Sequence, residues 1–197
     1  LALAVRAGHL RITSRRSVGF SGTVSDQLNR LWREADAMIV LVSAETFEHM
    51  ANWRALLERV KGGLAEDGRF FMHVFTHRNR PYRFDVSDPD NWIAQHFFTG
   101  GIMPSHGLIR HFPDLFEVEQ EWRWSGEHYR RTAMDWLANM DANGVAVDAV
   151  LKATYGADWA VWKRRCRIFF LATAGLFGHQ GGKVWGVSHY LLKKAAG

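Results

Sequence analysis

Two nearly unbroken apolar runs, residues 38–42 (Met-Ile-Val-Leu-Val) and 69–75 (Arg-Phe-Phe-Met-His-Val-Phe), flank a segment of helical period and narrow most sharply what this chain can fold into. Runs of this length bounded by turns read as strands buried on both faces, because a strand with one wet face alternates instead. Between them Trp53, Leu56, Leu57 and Val60 recur at three- and four-residue spacing over 52–61, Gly62-Gly63 ends the helix, and Asp67-Gly68 turns the chain. Strand, helix, strand with short connections is a βαβ unit. Its strands should be parallel neighbours, so the spacing predicts an α/β protein.

The flanks are less regular. Residues 1–35 show no clear period, and 21–25 reads as a loop. All four prolines, Pro81, Pro89, Pro104 and Pro113, fall within 78–115, which predicts a loop-rich insertion over the sheet edge with a short helix near 91–97. Beyond it, 115–124 alternates as a strand, and 127–140, 146–154 and 159–176 carry helical patterns. Residues 183–192 read as a last strand, with Trp185, Val187, His189 and Leu191 on one face.

With 197 residues, 47% of them apolar, the chain can bury one good core. It has no charge-free apolar run of ~18 residues to span a membrane, and no signal peptide at its start. It begins at Leu1, as a processed protein or a fragment would. The single cysteine, Cys166, excludes an internal disulfide and a thiolate cluster, and fits the reducing cytoplasm where we expect the protein. The net charge of +5 comes largely from scattered arginines. Without a helix-turn-helix or an aromatic-basic RNA motif, no nucleic-acid partner is expected. Tyr82-Arg83-Phe84 and Trp92 admit two readings, a patch making peripheral contact with an anionic membrane or simple packing of the insertion.

The chemistry concentrates where the first strand ends. Glu45-Thr46-Phe47-Glu48-His49-Met50-Ala51-Asn52 follows it directly, placing two carboxylates and an imidazole at a strand's carboxyl end, where open α/β sheets bind ligands. Alone, these residues are open to being a solvated turn. His73, on an otherwise apolar strand, is expected to converge with Glu48 above the same edge. Such a pair can accept and pass a proton near neutral pH, although a hydrogen-bonded core histidine is the other reading. Binding of a metal by His73, His77 and Glu48 is not expected, since the two histidines lack the shared helical face that makes their spacing a ligand pair.

Five ordered blocks then carry a resemblance: 43–50 (Ser-Ala-Glu-Thr-Phe-Glu-His-Met), 71–73 (Phe-Met-His), 97–105 (Phe-Phe-Thr-Gly-Gly-Ile-Met-Pro-Ser), 126–132 (Gly-Glu-His-Tyr-Arg-Arg-Thr) and 172–178 (Ala-Thr-Ala-Gly-Leu-Phe-Gly). In these the chain resembles the cyclopropane-fatty-acid synthase and coclaurine N-methyltransferase family, which uses S-adenosylmethionine. The resemblance implies a Rossmann-like class I methyltransferase fold, present as its C-terminal part. Residues 36–197 would form the catalytic core, with a helical substrate-covering insertion over about 78–180, and 1–35 an incomplete cofactor-binding part. It implies methyl transfer from S-adenosylmethionine to a small-molecule amine or to the unsaturated acyl chain of a phospholipid, and the 97–105 block is closer to the amine branch.

Residue by residue, the resemblance makes Glu48 and His49 the pair that orients the amine and takes its proton. It matches Glu48, His73 and Tyr129 to positions that hold a bicarbonate base in the cyclopropane branch. Glu45, Phe98 and Phe169 fall on the substrate side, Ala44 where the backbone passes the cofactor's methionine end, and Gln27 in a stretch similar to the family's cofactor loop. The chain departs from the pattern too. No Gly-x-Gly turn precedes residue 44, no acid stands ready for the ribose, and Gly175 and Cys166 replace the family's usual Glu and Trp. Weak binding of S-adenosylmethionine is therefore expected, and a catalytically inactive remnant or a substrate- or lipid-binding module of the same fold is the alternative.

Overall fold

The computed structural model describes residues 2–6, 9–13, 37–40 and 47–196, and the chain divides into two compact units, Leu1–Arg123 with Ser188–Gly197, and Trp124–Val187. Among the described residues no helix is long and apolar enough to cross a membrane.

The first unit holds the strands. β1 (Ala2–Arg6), β2 (His9–Thr13) and β3 (Ala37–Val40) form a sheet in the order β2-β1-β3, antiparallel at both pairings, with Leu3 opposite Ile12 and Ile39. β1 and β2 fall in the region where no period was legible. Five residues hold only about two cycles of strand alternation, too few to stand out in a sequence. After β3 comes α1 (Trp53–Gly63), capped by the Asn52 side chain, which accepts from Ala55 N–H. The expected face is the one it buries: Trp53, Leu57 and Val60 join Phe47, Phe70, Met72, Val74 and Leu192 in the core, with Leu56 at its margin.

β4 (Arg69–His77) follows, and it belongs to a second sheet of order β4-β8-β7, with β7 (Phe116–Ser125) and β8 (Trp185–Lys194). β3 and β4 approach one another, but among the described residues the ladder partner of β3 is β1 and that of β4 is β8, and the expected parallel pairing is not seen there. β8 runs antiparallel to both neighbours. Thr76 meets Ser188 while His73, earlier on β4, meets His189, later on β8, and Ala195 N–H and Lys193 reach back to Leu115 and Glu117. β8 buries Gly186, Ser188, Tyr190 and Leu192 on one face and Val187 on the other, where Trp185, His189 and Leu191 are half-buried. Ser188 and Tyr190 enter the core with their hydroxyls already paired, which apolarity alone does not register.

β7 starts with strict alternation. Phe116 and Val118 face the core, while Glu117 and Glu119 pair on the opposite side with Lys193 and Arg69. Farther along, Glu121 reaches Arg110 and His106 beside core residue Tyr190, while Trp122 meets Phe71.

The expected insertion is loop-rich. β5 (Tyr82–Arg83) and β6 (Ile102–Met103) pair antiparallel around α2 (Trp92–His96), and a bridge joins His77 to Ser105. The second unit contains the three expected helices: α3 (Gly126–Ala142), α4 (Gly144–Tyr155) and α5 (Trp159–Gly178). Gly126 opens α3 where a Cβ would stand 2.2 Å from the Phe177 carbonyl oxygen, so no larger residue fits. Lys163 of α5 reaches Asp148 of α4 at 2.5 Å, and Arg167 pairs with Asp141 at the end of α3.

Candidate functional site

Residues 47–50 form a tight turn closed by Met50 N–H on the Phe47 carbonyl at 3.2 Å. Phe47 is its anchor, buried against Trp53 and Phe70, with the Trp53 indole N–H donating to its carbonyl at 3.1 Å. The next two residues point to opposite environments. Glu48 is 0% exposed, whereas His49 is exposed.

The 97–105 block explains how this turn is held. Ile102 N–H donates to the Glu48 carbonyl at 2.7 Å, and a Cβ on Gly101 would lie 2.4 Å from that same oxygen. Only glycine admits so close an approach. Gly100 supplies the left-handed turn before it, at φ +75°. The His49 ring stacks on Phe98 at 4.9 Å and 9° between planes, and Phe98 is backed by Phe84 at 5.0 Å and edge-on by Phe75 at 5.8 Å. The arrangement presents an oriented, accessible imidazole on the residue that follows a carboxylate taken out of water. An imidazole so placed can accept a proton near neutral pH.

His73 has a partner on the neighbouring strand. Its Nδ1 lies 2.6 Å from His189 Nε2, and its ring packs beside that partner at 4.6 Å. Burial, and secondarily the neighbouring His189, holds its pKa below the ordinary histidine value. β8 lies directly beside β4 and brings this partner from 116 residues away. Glu45, Ala44 and Gln27 lie outside the described residues. Tyr129 and Phe169 belong to the helical unit, Tyr129 against Phe177 at 4.4 Å and edge-on to Trp136, Phe169 against Phe170. Cys166 is half-buried there, its thiol pKa pushed up by burial, which favours an inert thiol over a reactive thiolate.

Residues 24–175 match the family model described as mycolic acid cyclopropane synthetase. The chain belongs to the mycolic acid cyclopropane synthetase family. Within the family it is 30% identical over 158 residues to a (S)-coclaurine N-methyltransferase of Papaver somniferum, covering 78% of this chain and 45% of that protein. A crystal structure of coclaurine N-methyltransferase bound to N-methylheliamine and SAH superposes with a TM-score of 0.70 at 31% identity, over 81% of this chain and 48% of that one. The cyclopropane synthase MmaA2 of Mycobacterium tuberculosis shares the fold, with a TM-score of 0.59 at 18% identity over 82% of this chain and 57% of that one. The fold is therefore that of the class I methyltransferases, and the chain spans about half the length of the curated relatives it matches.

This family member also carries a buried polar network that the sequence reading missed. Thr76 Oγ1 and Ser188 Oγ are 2.6 Å apart, Ser188 Oγ is 2.8 Å from His106 Nδ1, and the Tyr190 hydroxyl donates to the His106 carbonyl at 2.6 Å. Burial pushes the Tyr190 hydroxyl pKa up to about 12, so it remains a donor throughout the physiological range. The network ties β4, β8 and the end of the 97–105 block together. Its only sequence signal is Ser188-His189-Tyr190, three polar-capable residues in succession within a strand.

Proposed function

We propose that this chain carries the acceptor side of an S-adenosylmethionine-dependent methyltransferase acting on a secondary or tertiary amine. The observation that supports it most is the His49 ring, oriented on Phe98 and exposed, beside the buried Glu48. The relatives named as N-methyltransferases favour the same branch.

The described residues suit one end of the cofactor. A sulfonium is drawn to carboxylates and aromatic faces, which Glu48 and Phe98 offer; Ala44 and Gln27, assigned to other parts of the cofactor, lie outside the described residues. When bound, S-adenosylmethionine supplies an activated methyl group. The chain's own work is then to hold the neutral amine and, where its nitrogen carries a hydrogen, to take up the proton released as the N–C bond forms and the S–C bond breaks. His49 accepts that proton at an imidazole nitrogen, Glu48 favours the positive charge that results, and the Phe98 face keeps the imidazole in one orientation. No step is given to bicarbonate, because His73 is engaged by His189.

The test is a side-by-side assay at millimolar S-adenosylmethionine, offering a tetrahydroisoquinoline amine and vesicles of unsaturated phospholipid. N-methylated product should dominate, and Glu48→Gln and His49→Ala should each slow it about 10²-fold, the scale of losing a general base or its partner. Cyclopropanated lipid without N-methylation would transfer the reading to the acyl branch. Unchanged rates in both variants would reject these residues.

A further inference from the structure

The half-buried face of β4 and β8 carries two imidazoles that neither the acceptor turn nor the Thr76–Ser188–His106 network uses. His73 stands between Met72 and Val74, both fully buried, so the alternation of the strand turns its ring to the opposite face of the sheet. His189 stands likewise between buried Ser188 and Tyr190. The two strands are neighbours in one ladder. They bring the rings together on that face, with His73 Nδ1 2.6 Å from His189 Nε2 and the ring centroids 4.6 Å apart. Both rings are half-buried, so neither is sealed from solvent, and Phe71 packs against His189 at 5.3 Å and against Trp122 at 6.5 Å.

Two ring nitrogens aimed at one point from adjacent strands are a pre-organised half of a metal's coordination sphere, because side chains on sheet strands are held more firmly than those on loops. Imidazole ligates through either nitrogen. In the neutral pair one ring donates a proton to the other. Moving that proton to the donor ring's outer nitrogen, a tautomeric change that leaves the net charge as it was, turns both lone pairs toward the gap. Two metal–nitrogen bonds of about 2.0–2.1 Å at a tetrahedral angle place the nitrogens about 3.3 Å apart. The rings therefore have to part from 2.6 Å to that separation, a small rotation of two half-buried side chains. In the sequence His73 has only His77 at a ligand-like spacing, and the fold supplies His189 instead. Among the described residues no group of three histidine, cysteine or carboxylate ligands assembles, so the chain offers two ligands and leaves the other positions to water.

We propose that His73 and His189 form a two-imidazole binding site for a divalent transition-metal ion of the zinc, nickel and copper class. The donor set decides the class. Imidazole nitrogens suit Zn²⁺, Ni²⁺ and Cu²⁺, with Cu²⁺ held most tightly, whereas Mg²⁺ and Ca²⁺ take oxygen ligands. An ion bound there replaces one hydrogen bond between β4 and β8 by two metal–nitrogen bonds. Because the unfolded chain does not hold the two rings together, the ion stabilises the fold by mass action.

The experiment uses the intact chain in chelator-free buffer and needs no methyl transfer, so its outcome is separate from that of the acceptor-site reading. Zn²⁺ and Mg²⁺ are titrated by calorimetry into the wild type, His73→Gln, His189→Gln and His111→Gln, the last an exposed histidine outside the pair. We expect Zn²⁺ to saturate at one ion per chain and Mg²⁺ to give no response. Each pair variant should lose about tenfold or more in affinity, since even an outer-shell partner of a metal is worth that much, and His111→Gln should bind as the wild type does. Substoichiometric Cu²⁺ gives a reading on the wild type alone, independent of how the variants fold. Its paramagnetic broadening should remove the ring-proton signals of His73 and His189 before those of the other histidines. Absence of Zn²⁺ binding, wild-type affinity in both pair variants, or broadening that begins at other histidines, the pattern of an adventitious surface contact, would overturn the site.

Discussion

Gly101 shows how much one residue can decide here. Its missing side chain lets Ile102 N–H reach the Glu48 carbonyl, so the backbone of the acceptor turn and the 97–105 block become one piece. Gly101→Ala should cost about 1–3 kcal/mol, the range of overpacking where backbone must shift, and should release the His49 ring from Phe98. Urea unfolding reads the first effect and the ring-current shift of the His49 protons the second. Wild-type stability with an unchanged shift would mean the turn holds itself. His73 teaches the opposite lesson about legibility. A lone histidine in an apolar strand does mark a polar contact, but the sequence holds no record of which strand lies alongside, so the contact with His189 was not legible.

At the scale of elements, α1, α3, α4, α5, β4 and β7 were readable because each has enough turns or alternations for its period to show. β1 and β2 were too short, and the burial of Ser188 in β8 depends on polar pairing that hydrophobicity does not register. Two expectations belong to this scale. Gly175 is exposed within α5 and a Cβ there meets nothing within 4 Å, so Gly175→Ala should raise stability by about 0.5–1 kcal/mol in thermal or urea unfolding. A loss instead would show that the helix face is covered. The second concerns pH. Burial lowers the pKa of His73, His77, His106 and His189 from 6.5, so below that value the unfolded chain takes up protons that the folded chain refuses. Their contribution is complete above about pH 6.5 and is lost as pH falls through the lower folded values. The paired carboxylates Asp114, Glu117 and Glu127, whose pKa values are lowered chiefly by hydrogen bonds from Arg54, Lys193 and Arg130, act only at more acid pH. Urea midpoints should therefore drop between about pH 6.5 and 5, and a flat profile there would refute the assignment.

For the whole molecule, the chain spans about half the length of the curated relatives it matches. No Gly-x-Gly turn precedes residue 44. Losing three or four cofactor hydrogen bonds at ~1 kcal/mol each raises a dissociation constant by ~10² to 10³-fold. Calorimetry should accordingly find S-adenosylmethionine bound weakly by this chain, and micromolar binding would mean that its first 46 residues build a full cofactor loop of another kind. The family was legible because its likeness resides in short contiguous blocks, whereas the Thr76–Ser188–His106 network exists only after folding. The most direct test of the acceptor site is a nuclear magnetic resonance titration of the 197-residue chain with a secondary amine of the tetrahydroisoquinoline class, followed at the His49 imidazole and repeated in Glu48→Gln. Saturable shifts of the His49 ring protons, with affinity falling about tenfold in Glu48→Gln, roughly the loss of one charge-assisted contact, are the expected result. Saturation that leaves His49 unmoved, or equal affinity in the variant, would contradict it.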